Sequence, residues 1–149
     1  MKKILLTIIR ALLGAVFVVS GFQKLAAPAE NFQTVIEKFE VVHGPAAAFL
    51  SHAIPWGEFV FGVFLLIGLW TTLAVLALWL LNTVFISVLL SAILRKLPIE
   101  ECGCFGEALS LPLPKIFMVD LVLCGFFAVF LFLSRGVELP GLDSFFKNK

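Results

Sequence analysis

Four separated stretches of this chain are apolar for about twenty residues each, the length that carries an α-helix across a hydrocarbon core of about 30 Å. They run over about 4–22, 46–70, 73–94 and 116–133. In lipid every backbone N–H and C=O must find a partner inside the protein, so runs of this length read as helices and not as strands of an open sheet. The expectation is an all-α fold: an integral membrane antiparallel four-helix bundle, one domain over residues 1–149. With 14% charged residues and a mean hydropathy of +1.10, the chain falls well short of the roughly one quarter charged residues of a soluble domain. Its net charge of +1 offers no basic field for a polyanion, so the expected partner surface is the lipid bilayer and not nucleic acid.

The first run follows Lys2 and Lys3 and holds one charge, Arg10. A cleaved signal peptide has the same basic start, but Arg10 interrupts the apolar region such a signal needs, so the span is expected to be retained. Arg10 itself reads as a structural or lipid-facing residue that snorkels, with an anion or quinone contact as the alternative. The second run holds Pro55 and Glu58, and the third has no charge at all. Only Thr71 and Thr72 separate these two, which predicts a tight antiparallel pair. The fourth carries Asp120 and Cys124 between the flanking Lys115 and Arg135, placed as interfacial anchors. Between the first two spans, residues 29–41 set Phe32, Val35, Ile36 and Phe39 at helical spacing among Glu30, Glu37, Lys38 and Glu40. That pattern predicts an amphipathic helix, too short and too charged to span, lying at the membrane interface.

Loop charges divide five against five: Lys2, Lys3, Arg135, Lys147 and Lys149 face Lys24, Lys38, Arg95, Lys96 and Lys115. The flanks of the first helix favour both termini in the cytoplasm, which puts the 95–115 loop outside it. An even number of antiparallel spans brings Lys24, Glu58, that loop and Asp120 to one face of the bundle. Asp120 lies roughly 6 Å below Ile116 at 1.5 Å per residue. Ionisable groups at such depths are costly and usually mark a functional site. The plainer alternative has Lys24 snorkelling and the two carboxylates as its structural partners. Cys124, one turn beyond Asp120, reads first as a small buried hydrophobe, with thiol exchange with Cys104 as the alternative.

The loop carries Cys102-Gly103-Cys104-Phe105-Gly106. Two cysteines around one glycine can close a disulfide only with strain, and a strained, accessible disulfide is more oxidising than a structural one. Gly103 permits the turn, Phe105 adds an aromatic wall and Gly106 a flexible joint. Thiol–disulfide exchange at Cys102 and Cys104 is therefore the leading reading, with Lys24 favouring the thiolate and Glu58 or Asp120 handling the proton. Whether that exchange is enzymatic turnover stays open. A metal site built from Cys102, Cys104, His43 and His52 is one alternative. A membrane scaffold that docks a redox protein is the other.

These residues resemble the DoxX-like membrane proteins, and within them the MauE branch. The likeness rests on Arg10, Leu13-Gly14, Phe17, Ser20-Gly21, Lys24-Leu25, Pro28 and Phe32, then on Pro55, Glu58, Gly62 and Gly68, and most specifically on the Cys102–Gly106 loop followed by Asp120. Members often carry a basic residue directly before this aspartate. Here Val119 stands there. The resemblance implies a multi-pass protein of the bacterial inner membrane whose Cys102 and Cys104 exchange disulfides with an extracytoplasmic thioredoxin-like partner during maturation of exported proteins. It also implies quinone as a candidate electron acceptor.

Overall fold

A computed structural model describes residues 1–97 and 112–135. Five α-helices account for nearly all of them: α1 (Lys2–Ala26), α2 (Ala29–Lys38), α3 (Pro45–Ile67), α4 (Thr71–Leu94) and α5 (Leu113–Ser134). The described residues are all-α, with no sheet. Four of the helices, α1, α3, α4 and α5, are long and apolar enough to cross a membrane.

Small residues set the closest contact, between α1 and α3. A Cβ on Gly21 would lie 2.7 Å from the Phe59 nitrogen and 2.8 Å from the Pro55 carbonyl oxygen, and one on Gly62 would lie 2.9 Å from the Val18 nitrogen. Where lipid tails are as apolar as the side chains, this kind of backbone approach is what holds two helices together. Gly21 lies against Pro55 and Gly14 against Gly62, so the two helices run antiparallel. Helix α3 then packs on α4, α4 on α5, and α5 returns to α1.

The turn from α3 to α4 occupies residues 68–70, three residues earlier than the apolar runs place it. Gly68 takes a left-handed φ of 70°, which costs glycine nothing. The Leu69 N–H then donates to the Phe64 carbonyl at 2.9 Å, so Thr71 and Thr72 open α4 instead of forming the loop. Helix α2 likewise ends at Lys38, short of the expected 41, because Glu40 adopts a φ of 54°. Helix α5 starts at Leu113, one turn before the apolar count begins, with a proline in its first turn where the missing N–H is not needed.

Two apolar clusters fill the interior. Leu6, Leu13, Phe17, Leu65, Leu78, Phe127 and Phe130 form one, with the Phe17 and Phe127 rings 5.6 Å apart. Phe39, Leu89, Ala92, Leu113 and Ile116 form the other, where α4 ends and α5 begins. Phe39, just beyond α2, thus closes that end, and an exposed Arg95–Glu40 ion pair of 2.7 Å joins the same two elements at the surface. The outer surface is also apolar: Leu12, Phe49, Leu80 and Phe132 are all exposed. Only 22% to 39% of each apolar window is buried, so most of that surface needs a nonpolar solvent.

Candidate functional site

Between the two apolar clusters the bundle interior turns polar. Lys24, in the last turn of α1, is 5% exposed and Glu58, in α3, is 8% exposed. The Lys24 ammonium donates to both Glu58 carboxylate oxygens, at 2.8 Å and 2.7 Å, and to Ser20 Oγ at 3.1 Å. Ser20 Oγ donates in turn to Glu58 Oε2 at 3.1 Å. Ser20 and Lys24 are four residues apart and so share a face of α1. The three groups form a closed network in which all three ammonium protons are used. The Phe32 ring of α2 covers the ammonium, its centroid 5.3 Å from Nζ. Lys24 therefore turns into the bundle and does not snorkel.

Asp120 enters from α5 and is 5% exposed. Asn82 of α4 donates through Nδ2 to the Asp120 backbone carbonyl at 3.0 Å, which ties α4 to α5 at this level. The Asp120 side chain is not so provided: its Oδ2 is buried and has no hydrogen-bond partner among the described residues. Asp120, Asn82, Lys24, Glu58 and Ser20 all line one cavity of about 60 Å³. The remaining walls are apolar, among them Val16, Phe17, Ile54, Leu81, Phe85 and Leu123. The expected convergence of Lys24, Glu58 and Asp120 thus takes the form of one ion pair and one separate carboxylate on a shared cavity.

Ser20 and Asn82 belong to this site and escaped the reading by charge. Asn82 is a carboxamide in the middle of a charge-free run, and an amide there seeks a partner on a neighbouring helix. Ser20 carried a signal of its own in its spacing from Lys24.

The other candidates lie elsewhere. Arg10 is about 21 Å along α1 from Lys24 at 1.5 Å per residue. It is 5% exposed, because it shares a face of α1 with Leu6, Leu13 and Phe17, the face that packs into the bundle. That corrects the lipid-facing, snorkelling expectation for it. Cys124 is half-buried and accepts a hydrogen bond from Trp79 Nε1 at 3.2 Å, a polar contact that its reading as a plain hydrophobe did not include. His43 and His52 are exposed, and His52 Nδ1 bonds the Ala48 carbonyl of its own helix at 2.9 Å. Among the described residues no three His, Cys, Asp or Glu side chains gather as metal ligands would. Cys102, Gly103, Cys104, Phe105 and Gly106 lie outside the described residues. The segment that carries them joins the end of α4 to the start of α5, about two turns above Asp120.

A chain whose described residues are all-α, with four membrane-length apolar helices, an apolar outer surface and Arg10, Lys24, Glu58 and Asp120 buried inside, is a multi-pass membrane protein. More narrowly, the chain belongs to the MauE family: the family model described as methylamine utilisation protein MauE matches residues 2–134, from the start of α1 to the end of α5. No curated protein and no solved structure matches the chain.

Proposed function

We propose that this protein is a membrane thiol–disulfide exchange protein whose Cys102 and Cys104 react with a thioredoxin-like partner outside the cytoplasm, in support of the maturation of exported proteins such as those of methylamine utilisation. The observation that carries this reading is the buried Lys24–Glu58 pair and Asp120 on one cavity, at the end of the bundle from which the Cys102–Cys104 segment departs. Ionisable groups are expensive in a membrane interior and persist there for a task. An exchange reaction needs such groups, because a thiol attacks only as its thiolate and the proton must go somewhere.

In the step proposed, a thiolate of the partner attacks one sulfur of the Cys102–Cys104 disulfide. A mixed disulfide forms and the other cysteine leaves as a thiolate. The partner's second thiol then displaces the bound sulfur, so the partner gains a disulfide while Cys102 and Cys104 end as two thiols. Two electrons and two protons pass to this chain. Asp120 is the better placed proton acceptor, because Glu58 already takes hydrogen bonds from Lys24 and Ser20. Lys24 and Ser20 hold Glu58 in place as the cavity's other wall. Reading the 95–115 loop as extracytoplasmic agrees with this chemistry, since the reducing cytosol disfavours persistent disulfides.

Single Cys102→Ser and Cys104→Ser variants test the reading in cells quenched with acid and alkylated. One of the two should accumulate a reductant-sensitive adduct with a thioredoxin-like protein, and the double variant should lose both the adduct and maturation of the exported substrate. Maturation that continues in the double variant would overturn the exchange role.

A further inference from the structure

The cavity's hydrogen-bonding capacity is unbalanced, and the imbalance specifies a ligand. On the donor side, the Lys24 ammonium is saturated by Glu58 and Ser20, and the Ser20 hydroxyl is spent on Glu58. Asn82 Nδ2 gives one of its two N–H groups to the Asp120 carbonyl, and neither reaches Asp120 Oδ2. On the acceptor side, Asp120 Oδ2 is buried and unpartnered among the described residues. Charge is unbalanced in the same sense: on this cavity two buried carboxylates, Glu58 and Asp120, share the Lys24 ammonium, which is bound to Glu58 within 2.8 Å. A buried acceptor left unsatisfied is costly, and more so when it is charged.

What completes such a site is a cation that donates hydrogen bonds. A sodium or calcium ion fits poorly, because hard cations demand a shell of oxygen ligands and most of these walls are carbon, including the Phe17 and Phe85 rings. A small organic ammonium fits on both counts. Its N–H groups face the carboxylate, its carbon body lies against apolar side chains, and the aromatic rings add cation–π attraction. The size is also right: about 60 Å³ is several times the roughly 10–15 Å³ that a single water requires, so a head group and a few carbons can enter. The aspartate χ2 torsion is broad and two-fold, so either carboxylate oxygen can turn to the ligand.

We infer that the cavity between α1, α3, α4 and α5 is a binding site for a small primary alkylammonium ion, held at Asp120 and bounded by Phe17, Phe85 and Leu123. The site shares its cavity with the proposed exchange function but does not depend on that chemistry. The test uses the full chain in lipid nanodiscs and measures equilibrium binding of radiolabelled methylammonium, with tetramethylammonium and sodium as competitors. Saturable binding at one site is expected. Tetramethylammonium, which has the charge but no N–H, should compete at least tenfold more weakly, and sodium more weakly still. Asp120→Asn keeps the side-chain volume and should weaken binding tenfold or more, while Leu123→Trp should block it by filling the cavity with the carboxylate intact. The Cys102→Ser/Cys104→Ser double variant should bind as the native chain does, which separates failure of this site from failure of the exchange role. Absence of saturable binding, equal competition by sodium or tetramethylammonium, or unchanged affinity in folded Asp120→Asn would each overturn the inference. The selectivity series needs no variant and stands even where one fails to fold.

Discussion

At the scale of single residues, the ion pair inside the bundle is the most consequential feature. Lys24 and Glu58 meet at 2.7 Å with almost no exposure, so each neutralises a charge that the surroundings would otherwise have to bear. Removing one partner leaves the other buried and alone, at a cost of about 3–5 kcal/mol, whereas replacing both with apolar residues of similar volume is often near neutral. Lys24→Met and Glu58→Leu should each lower the detergent melting temperature sharply, and the double variant should recover most of the loss. A double variant no better than the worse single would mean that Ser20 and Phe32, not the pair, dominate the local energy. Glu58 was legible in the sequence because a charge inside an apolar run is conspicuous, and Lys24 because it follows directly on the first run. Ser20 and Asn82 were harder to read: a hydroxyl or amide barely alters the hydropathy of its run, and each finds its cross-helix partner only when the helices come together. The capture of Lys24 by Glu58 was harder still, since a lysine at a helix end has water within reach as an alternative.

Among the elements, α1 and α3 are fitted to each other by glycine, and the rest of the bundle assembles around that pair. Position decides what a methyl group does there. At Gly21 a Cβ would meet backbone on α3 at 2.7 Å and 2.8 Å, whereas at Gly125 of α5 it would meet nothing within 4 Å. Gly21→Ala must therefore push two helices apart and displace Lys24, one turn further along α1, from Glu58. Gly125→Ala should be neutral or slightly stabilising, because alanine is the better helix former by about 1 kcal/mol. Expression and monodispersity in detergent would tell the two apart, and equal behaviour would show that the helices are less tightly coupled than their geometry implies. The sequence announced the four long helices through hydropathy over about twenty residues each, and α2 through the helical spacing of its apolar residues. It was less informative about the ends. Those were set by backbone geometry at Gly68 and Glu40 and by the proline in the first turn of α5, none of which registers in an apolar count.

For the molecule as a whole, the order of the helices fixes which parts share a side. Gly21 opposite Pro55 makes α1 and α3 antiparallel, the 68–70 turn does the same for α3 and α4, and the contact of Leu89 and Ala92 with Leu113 and Ile116 does so for α4 and α5. Three reversals return the chain to its starting side. The amino terminus, the α3–α4 turn and Arg135 therefore lie on one face of the bilayer, while α2, Arg95 and Lys115 lie on the other. This arrangement was readable from the even number of spans alone, yet which face is cytoplasmic was not, because the basic residues divide evenly between the two sides. Single cysteines introduced at Lys3, Trp70, Lys38 and Lys115 in a chain lacking its own three would decide the matter with a membrane-impermeant maleimide. Labelling of Lys38→Cys and Lys115→Cys from outside intact cells, with Lys3→Cys and Trp70→Cys reached only after permeabilisation, is expected. It would put the Cys102–Cys104 segment in an oxidising compartment. The reverse pattern would keep the fold but place that segment in the cytosol, where a persistent disulfide is disfavoured, and the exchange function would then lose its oxidising setting. A mixed pattern, with Lys38→Cys and Lys115→Cys on opposite sides, would contradict the order of the helices itself, because both positions lie where α2, α4 and α5 meet.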